Sequence, residues 1–111
     1  MDPLLLSKKC VPCEGGVPPL TEEEVRKLLL QVEGWKADAE CTKIFREFKF
    51  KDFKQAMGFV DKVAGLAEEE GHHPDIHIHY NRVRLELWTH AIGGLSENDF
   101  ILAAKINALR A

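Results

Sequence analysis

The chain has 111 residues, enough for one domain built around one core. Fifteen basic against eighteen acidic residues give a formal charge of −3, so no basic surface advertises nucleic acid. No apolar run approaches the ~20 residues of a membrane span, and Leu4, Leu5 and Leu6 precede their lysines instead of following them as in a secretion signal, so the expected setting is a soluble protein of the cytoplasm.

Residues 1–19 hold Pro3, Pro12, Pro18, Pro19 and the pair Gly15-Gly16, a composition that resists regular structure and reads as a tail or strap ahead of a domain over 20–111. The tail contains Cys10-Val-Pro-Cys13. With no second CxxC, and with Cys41 standing alone, this is half of a zinc ribbon at most, so Cys10 and Cys13 are expected as ordinary thiols. Three cysteines are also an odd number for a disulfide framework, in keeping with a reducing compartment.

Thr21 opens the domain as a helix cap, Glu24 answers it as a capping box, and Leu20 staples onto Val25, predicting a helix over about 21–32. Asp52 with Gln55 starts a second helix over 52–70, with an apolar stripe at Phe53, Met57, Val60, Ala64 and Ala67. Ser96 with Asp99 starts a third over 96–109. Between the helices the period is two. A short strand near Trp35 is followed by one with Ile44, Phe48 and Phe50 on one face, Arg46 being the exception. Asp75 to Tyr80 alternates Ile76, Ile78 and Tyr80 with His77 and His79; Asn81-Arg82 reads as the hairpin link; Val83, Leu85 and Leu87 then oppose Arg84, Glu86 and Trp88. Hairpins and helices without repeated βαβ crossovers predict an α+β fold of two layers, a four-stranded antiparallel sheet with three helices on one face.

Chemistry concentrates in EEEGHHPDIHIHY, residues 68–80, which carries four of the five histidines, with His90 ten residues on. His77 and His79 lie where a half-exposed strand puts solvent-facing side chains. His72 and His73 follow Gly71, the expected C-terminal cap of a helix whose last turn holds Glu68, Glu69 and Glu70, carboxylates at the negative end of the helix dipole. Imidazolium is favoured at such a position, which suits a proton donor near neutral pH. Pro74 keeps His73 extended, so the two adjacent side chains diverge. Folding the hairpin returns His90 beside residues 71–74, giving a cleft with three imidazoles at its mouth. A metal would need three or four of these ligands to converge, yet they divide among a loop, a strand face and a strand end; acid–base chemistry suits the arrangement better and no metal is expected.

The spacing Glu68, His72-His73-Pro74, Tyr80, His90, Asp99, with Thr-His-x-x-Gly-Gly-Leu-Ser-x-x-Asp over 89–99, resembles the signature of the pterin-4a-carbinolamine dehydratases, also called the dimerisation-cofactor family. The resemblance covers about 20–111. It implies dimers or tetramers, no cofactor, and dehydration of 4a-hydroxytetrahydropterin, the product of aromatic amino acid hydroxylases, to quinonoid dihydropterin. It implies catalytic roles for His72, His73 and His90, supporting roles for Glu68 and Asp99, and substrate contacts for Ile76, Tyr80 and Trp88, with Ile76 standing where some relatives carry an aromatic. Glu68 is expected beside His72. The same family also includes proteins that stabilise transcription-factor dimers, a role that an exposed apolar face at Leu28, Leu29 and Leu30 would serve. A third alternative is action on another pterin, as in molybdopterin metabolism.

Overall fold

The structure, a computed structural model, describes Leu5, Lys8, Cys10 and residues 18–110. Over residues 18–110 the elements follow one another as α1 (Glu22–Leu29), β1 (Lys36–Ala37), β2 (Ile44–Lys49), α2 (Phe53–Glu70), β3 (Asp75–His79), β4 (Arg82–Leu87) and α3 (Glu97–Arg110). The strands form one antiparallel sheet in the order β1-β2-β4-β3. This is the expected α+β architecture.

Local sequence accounts for the helix starts. The Thr21 hydroxyl accepts from the Glu24 N–H at 3.2 Å while the Glu24 carboxylate accepts from the Thr21 N–H at 2.9 Å, the reciprocal capping box. The Thr21 N–H first, and the Thr21 hydroxyl second, hold the Glu24 carboxyl below the usual range by bonding to it. Asp52 caps α2 by accepting from the Gln55 N–H at 2.9 Å. α1 ends at Leu29, three residues short of the predicted end, because its last turn tightens: Leu30, Gln31 and Val32 each donate to the carbonyl three residues back. The tighter turn drops Val32 and then Trp35 into the core and leaves Leu30 as the exposed leucine of its trio, with Leu28 and Leu29 packed against the core.

The buried face of α2 is turned relative to the expected stripe. Val60 and Ala67 are buried, but Phe53 is exposed, and the core side is made by Ala56, Phe59, Val60, Val63 and Ala67. The cause is an aromatic cluster: Phe59 packs against Phe48 of β2 and Phe50 just beyond its end, with ring centroids 4.8 and 5.1 Å away, and this fixes the helix rotation. The sheet contributes Ile44, Phe48, Val83, Leu85 and Leu87 to the same core, and α3 contributes Phe100, Ile101 and Ile106.

Two sequence irregularities have direct explanations. Arg46, the charged residue on the apolar face of β2, lies over the Phe48 ring at 4.5 Å and donates to the Glu33 carbonyl at 2.8 Å and to Asn107 Oδ1 at 2.7 Å. The neighbouring residue is Gly34, at φ +84°, where a Cβ would stand 2.7 Å from the guanidinium, so only glycine fits. The hairpin between β3 and β4 turns at Tyr80-Asn81 and not at Asn81-Arg82, because His79 pairs with Arg82. Asn81 is held to β2 instead, its carbonyl accepting from Phe50 N–H at 2.8 Å and its amide donating to the Phe50 carbonyl at 3.0 Å. Tyr80 therefore takes the turn position, at φ +55°.

The N-terminal segment touches the domain at each of its described positions before Pro18: Leu5 is buried in the core, Lys8 pairs with Glu97 at 3.0 Å, and the Cys10 N–H donates to Glu70 Oε1 at 2.9 Å. The reading of Cys13 lies outside the described residues. Cys10 is half-buried, and burial, reinforced by the nearby Glu70 charge, pushes its thiol up to about 12. Glu70 closes α2 as a buried carboxylate. Its burial alone would raise the carboxyl, but the Lys105 ammonium at 2.7 Å and the Cys10 N–H outweigh this and hold it low.

Leu85→Ala, which empties a fully buried position of β4, is expected to cost ~2–5 kcal/mol in urea unfolding, and Leu30→Ala within ~0.5 kcal/mol. Because the folded carboxyl of Glu70 lies below its unfolded value of 4.5, its contribution is present above that pH and lost as pH falls through the folded value. Acidification below pH 4.5 should therefore erode wild-type stability more steeply than that of Glu70→Gln, as read from unfolding midpoints in a pH series.

Candidate active site

The site is built where α2 ends, β4 ends and α3 begins. Gly71 caps α2 in the left-handed conformation at φ +69°, its N–H donating to the Ala67 carbonyl at 2.9 Å. The chain then turns so that His72 points inward, its side chain 12 % exposed, while the extended His73 points out at 60 %. The divergence expected from Pro74 is present.

Each of these imidazoles meets a carboxylate. His72 Nε2 lies 2.6 Å from Oδ1 of Asp99, which is completely buried. The second oxygen of Asp99 accepts from the Thr89 hydroxyl and from the Ser96 N–H, both at 2.9 Å, and Thr89 Oγ1 stands 2.7 Å from Ser96 Oγ. Asp99 thus does two jobs: it reaches back to Ser96, the residue before α3, in the manner of a capping box, and it grips His72. An ionised carboxylate can only accept, so opposite such a partner the N–H of His72 belongs on Nε2, the nitrogen that faces Asp99. His73 Nε2 is 2.6 Å from Glu68 Oε2, in an exposed pair at the mouth. Glu68 therefore partners His73 instead of the His72 expected from sequence, because the Gly71 turn carries His72 across to α3.

His90 opens a short 3₁₀ turn over His90–Ile92 that follows β4. A backbone bridge between Thr89 and Gly94, with the Thr89 N–H donating to the Gly94 carbonyl at 2.8 Å, ties off the loop that carries it. A Cβ on Gly94 would lie 2.8 Å from Pro19, which explains the glycine. The imidazole of His90 stacks on Trp88 with ring centroids 3.8 Å apart, and the Trp88 indole N–H donates to Asp75 Oδ2 at 3.3 Å. Trp88 is thereby anchored at its far end and presents its face to His90.

Together these residues enclose a cleft of about 400 Å³, lined by His72, His73, Pro74, Trp88, His90 and Asn98 among others. That volume is in the range of sites for small organic ligands. Of the residues singled out in the sequence, His72, His73, His90 and Trp88 line the cleft, while Glu68 and Asp99 bond to its histidines. Ile76 and Tyr80 do not line it: Ile76 packs toward the core, and Tyr80 is exposed at the hairpin tip. His77 sits on the outer sheet face, 3.8 Å from Glu86, which the Arg84 guanidinium at 2.9 Å holds below the usual carboxyl range. Among the described residues no three His, Cys, Asp or Glu side chains converge as a metal ion would require. Thr89, Ser96, Asn98 and Asp75 were not picked out as site residues by sequence reasoning. For Thr89 a signal existed, since it heads the Thr-His-x-x-Gly-Gly run, but its partner Asp99 is ten residues away and identified only by folding.

A ligand-sized cleft walled by an aromatic ring and three imidazoles, two of them seated on carboxylates, defines a site equipped to move protons on a small molecule. The chain belongs to the family described as pterin 4 alpha carbinolamine dehydratase, whose sequence profile matches residues 18–109. A relative from Nitrosomonas eutropha, provisionally named a pterin-4-alpha-carbinolamine dehydratase, is 55% identical over 107 residues, covering 95% of this chain and 92% of its own. The crystal structure of a transcriptional coactivator/pterin dehydratase from Brucella melitensis superimposes with a TM-score of 0.79 at 41% identity, over 84% of this chain and 99% of that one. A pterin dehydratase-like protein identified as a RuBisCO assembly factor in the alpha-carboxysome gives a TM-score of 0.60 at 28% identity, over 71% and 92% of the two chains.

Thr89→Val deletes one donor to the buried Asp99 and is expected to lower stability by ~1–3 kcal/mol in urea unfolding, whereas Thr89→Ser, which keeps the hydroxyl, should recover most of the loss.

Proposed function

We propose that the protein dehydrates 4a-hydroxytetrahydropterin to quinonoid dihydropterin. The observation that carries this reading is the cleft itself, in which His72, His73 and His90 surround a space of ligand size within a chain of the pterin dehydratase family. The reaction breaks the C4a–O bond, sends the oxygen out as water with one added proton, and removes the proton from N5 as the C4a=N5 bond forms. One proton is given and one taken, so the reaction balances with no redox partner. What it needs is an acid, a base and a surface that holds the flat bicycle.

His72 and His90 are the two candidates for proton transfer at the reacting centre. His72 has the more rigid mounting, since Asp99 is buried and itself held by Thr89 and Ser96. With Nε2 engaged by Asp99, Nδ1 is the atom that exchanges a proton with substrate. His90 acts from the opposite wall, with Trp88 setting its plane and offering an aromatic face to the pterin. His73, exposed and paired with Glu68, is suited to returning protons between the cleft and solvent or to binding. A positioned acid or base of this kind contributes roughly 10²–10⁴ in rate.

The reading includes a cytoplasmic setting, an aromatic amino acid hydroxylase supplying the carbinolamine, and self-association as a homodimer or homotetramer. β3 lies at the sheet edge with Ile78 exposed, which leaves a strand for a second copy to pair with. No helix among the described residues is long and apolar enough to cross a membrane. A second reading, binding to a partner protein without catalysis, is favoured by the descriptions of the two solved relatives, a transcriptional coactivator/pterin dehydratase and a RuBisCO assembly factor.

Stopped-flow measurement of 4a-carbinolamine loss, with a chelator present, decides between them. Acceleration over buffer that survives the chelator and falls at least ~10-fold in His72→Ala and in His90→Ala is expected. No acceleration by the wild type would move the partner-binding reading to first place, and acceleration confined to a different 4a-hydroxylated pterin would change the substrate and keep the chemistry.

A further inference from the structure

The buried pair Glu70–Lys105 takes no part in the cleft, yet its placement bears on it. A buried ion pair is a poor source of stability, because desolvating both charges opposes their attraction. Here the Glu70 side chain is 2 % exposed and that of Lys105 is 16 %, with 2.7 Å between them. Glu70 is the last residue of α2, two before His72; Lys105 lies on α3, six residues beyond Asp99. The pair therefore joins the last residue of α2, two before His72, to the helix that carries Asp99.

A third element completes the arrangement. The Cys10 N–H donates to Glu70 Oε1 at 2.9 Å, and the Cys10 thiol is 3.6 Å from the carbonyl of Asn98, the residue before Asp99. One residue of the N-terminal segment thus bridges the end of α2 and the start of α3, while Leu5 anchors the segment in the core. The elevated thiol pKa keeps Cys10 protonated, so it remains an S–H donor to that carbonyl.

The end of α2 is where such a bracket is needed. Glu68, Glu69 and Glu70 place three carboxylates at the negative end of the helix dipole, and helix ends fray. Opening the last turn would release Gly71 and swing His72 away from Asp99. Asp99 and Lys105 are ~9 Å apart along α3 at the usual helical rise. Two attachment points at that separation fix the angle between the helices as well as their distance, which a single bond cannot do.

We propose that Glu70 and Lys105, bracketed by Cys10, are positioning residues that hold the end of α2 against α3 and so set the His72–Asp99 geometry on which the cleft depends. The kinetic consequence rests on the dehydratase reading; the geometric one does not.

The test uses the full chain with Glu70→Gln, which keeps the shape and an acceptor, and the double variant Glu70→Gln/Lys105→Met, which leaves no unpaired ammonium if the single variant does not fold. Far-UV circular dichroism identifies the folded variant to be read. The two readouts are kcat and KM for the carbinolamine, and the imidazole ¹⁵N resonances of His72. Expected are a fall in kcat of about tenfold with KM within about twofold, and His72 resonances displaced from their wild-type positions, as follows when a catalytic group is shifted without loss of the binding surface. Lys105→Arg, which keeps the charge and its donors, should restore both readouts. A folded variant with wild-type kcat and unchanged His72 resonances would overturn the proposal. If the wild type does not dehydrate the pterin, the dehydratase reading fails while the resonances still decide on the bracket: displaced resonances uphold it and unmoved ones end it.

Discussion

Asp99 is a fully buried carboxylate, and the site is organised around keeping it satisfied. An ionisable group taken out of water must recover its lost hydration from fixed donors, and three converge on it from separate parts of the chain: the His72 ring, the Thr89 hydroxyl and the Ser96 backbone. Because those donors belong to the loop after α2, the end of β4 and the start of α3, one side chain aligns three elements. The need to satisfy a buried acceptor is thus the same constraint that orients an imidazole toward the cleft.

The acidic end of α2 illustrates how neighbouring residues of one type are given different fates. Glu68 reaches outward to His73, Glu69 stays in solvent, and Glu70 turns under the helix to Lys105. Helical periodicity alone separates them by roughly 100° each. The repulsion among three like charges is relieved in three directions, and two of those directions lead to cationic or potentially cationic partners on other elements.

Sequence reasoning recovered the local features, and the reason is that their causes are local. The Thr21 capping box, the Gly71 cap, the alternation in β4 and the proximity of His90 to residues 71–74 each follow from a few consecutive residues or from one hairpin. What it missed depends on tertiary contacts. The rotation of α2 is set by Phe59 meeting Phe48 and Phe50. The hairpin turn is set by Asn81 bonding to Phe50, and the pairing of His72 with Asp99 instead of Glu68 by the chain's path after Gly71. Arg46 looked like a break in an apolar strand face and proved to be the donor that joins Glu33 to Asn107 beneath Gly34. The contacts made by Leu5 and Cys10 had no sequence signal at all, since a Pro- and Gly-rich segment gives no periodicity to read.

The stack of Trp88 on His90 has a use beyond orientation. The chain has two tryptophans in unlike surroundings: Trp35 is buried, its indole N–H held by Asn107 at 2.9 Å, while Trp88 faces the cleft with an imidazole 3.8 Å from its ring. A charged imidazole in van der Waals contact drains the excited state of indole far more effectively than a neutral one. Emission from Trp88 therefore encodes whether its neighbour carries a proton and whether a flat molecule has slipped in beside it, against a steady background from Trp35. The protein comes with its own fluorophore at the wall of the cleft, and occupancy can be followed by light without attaching a label.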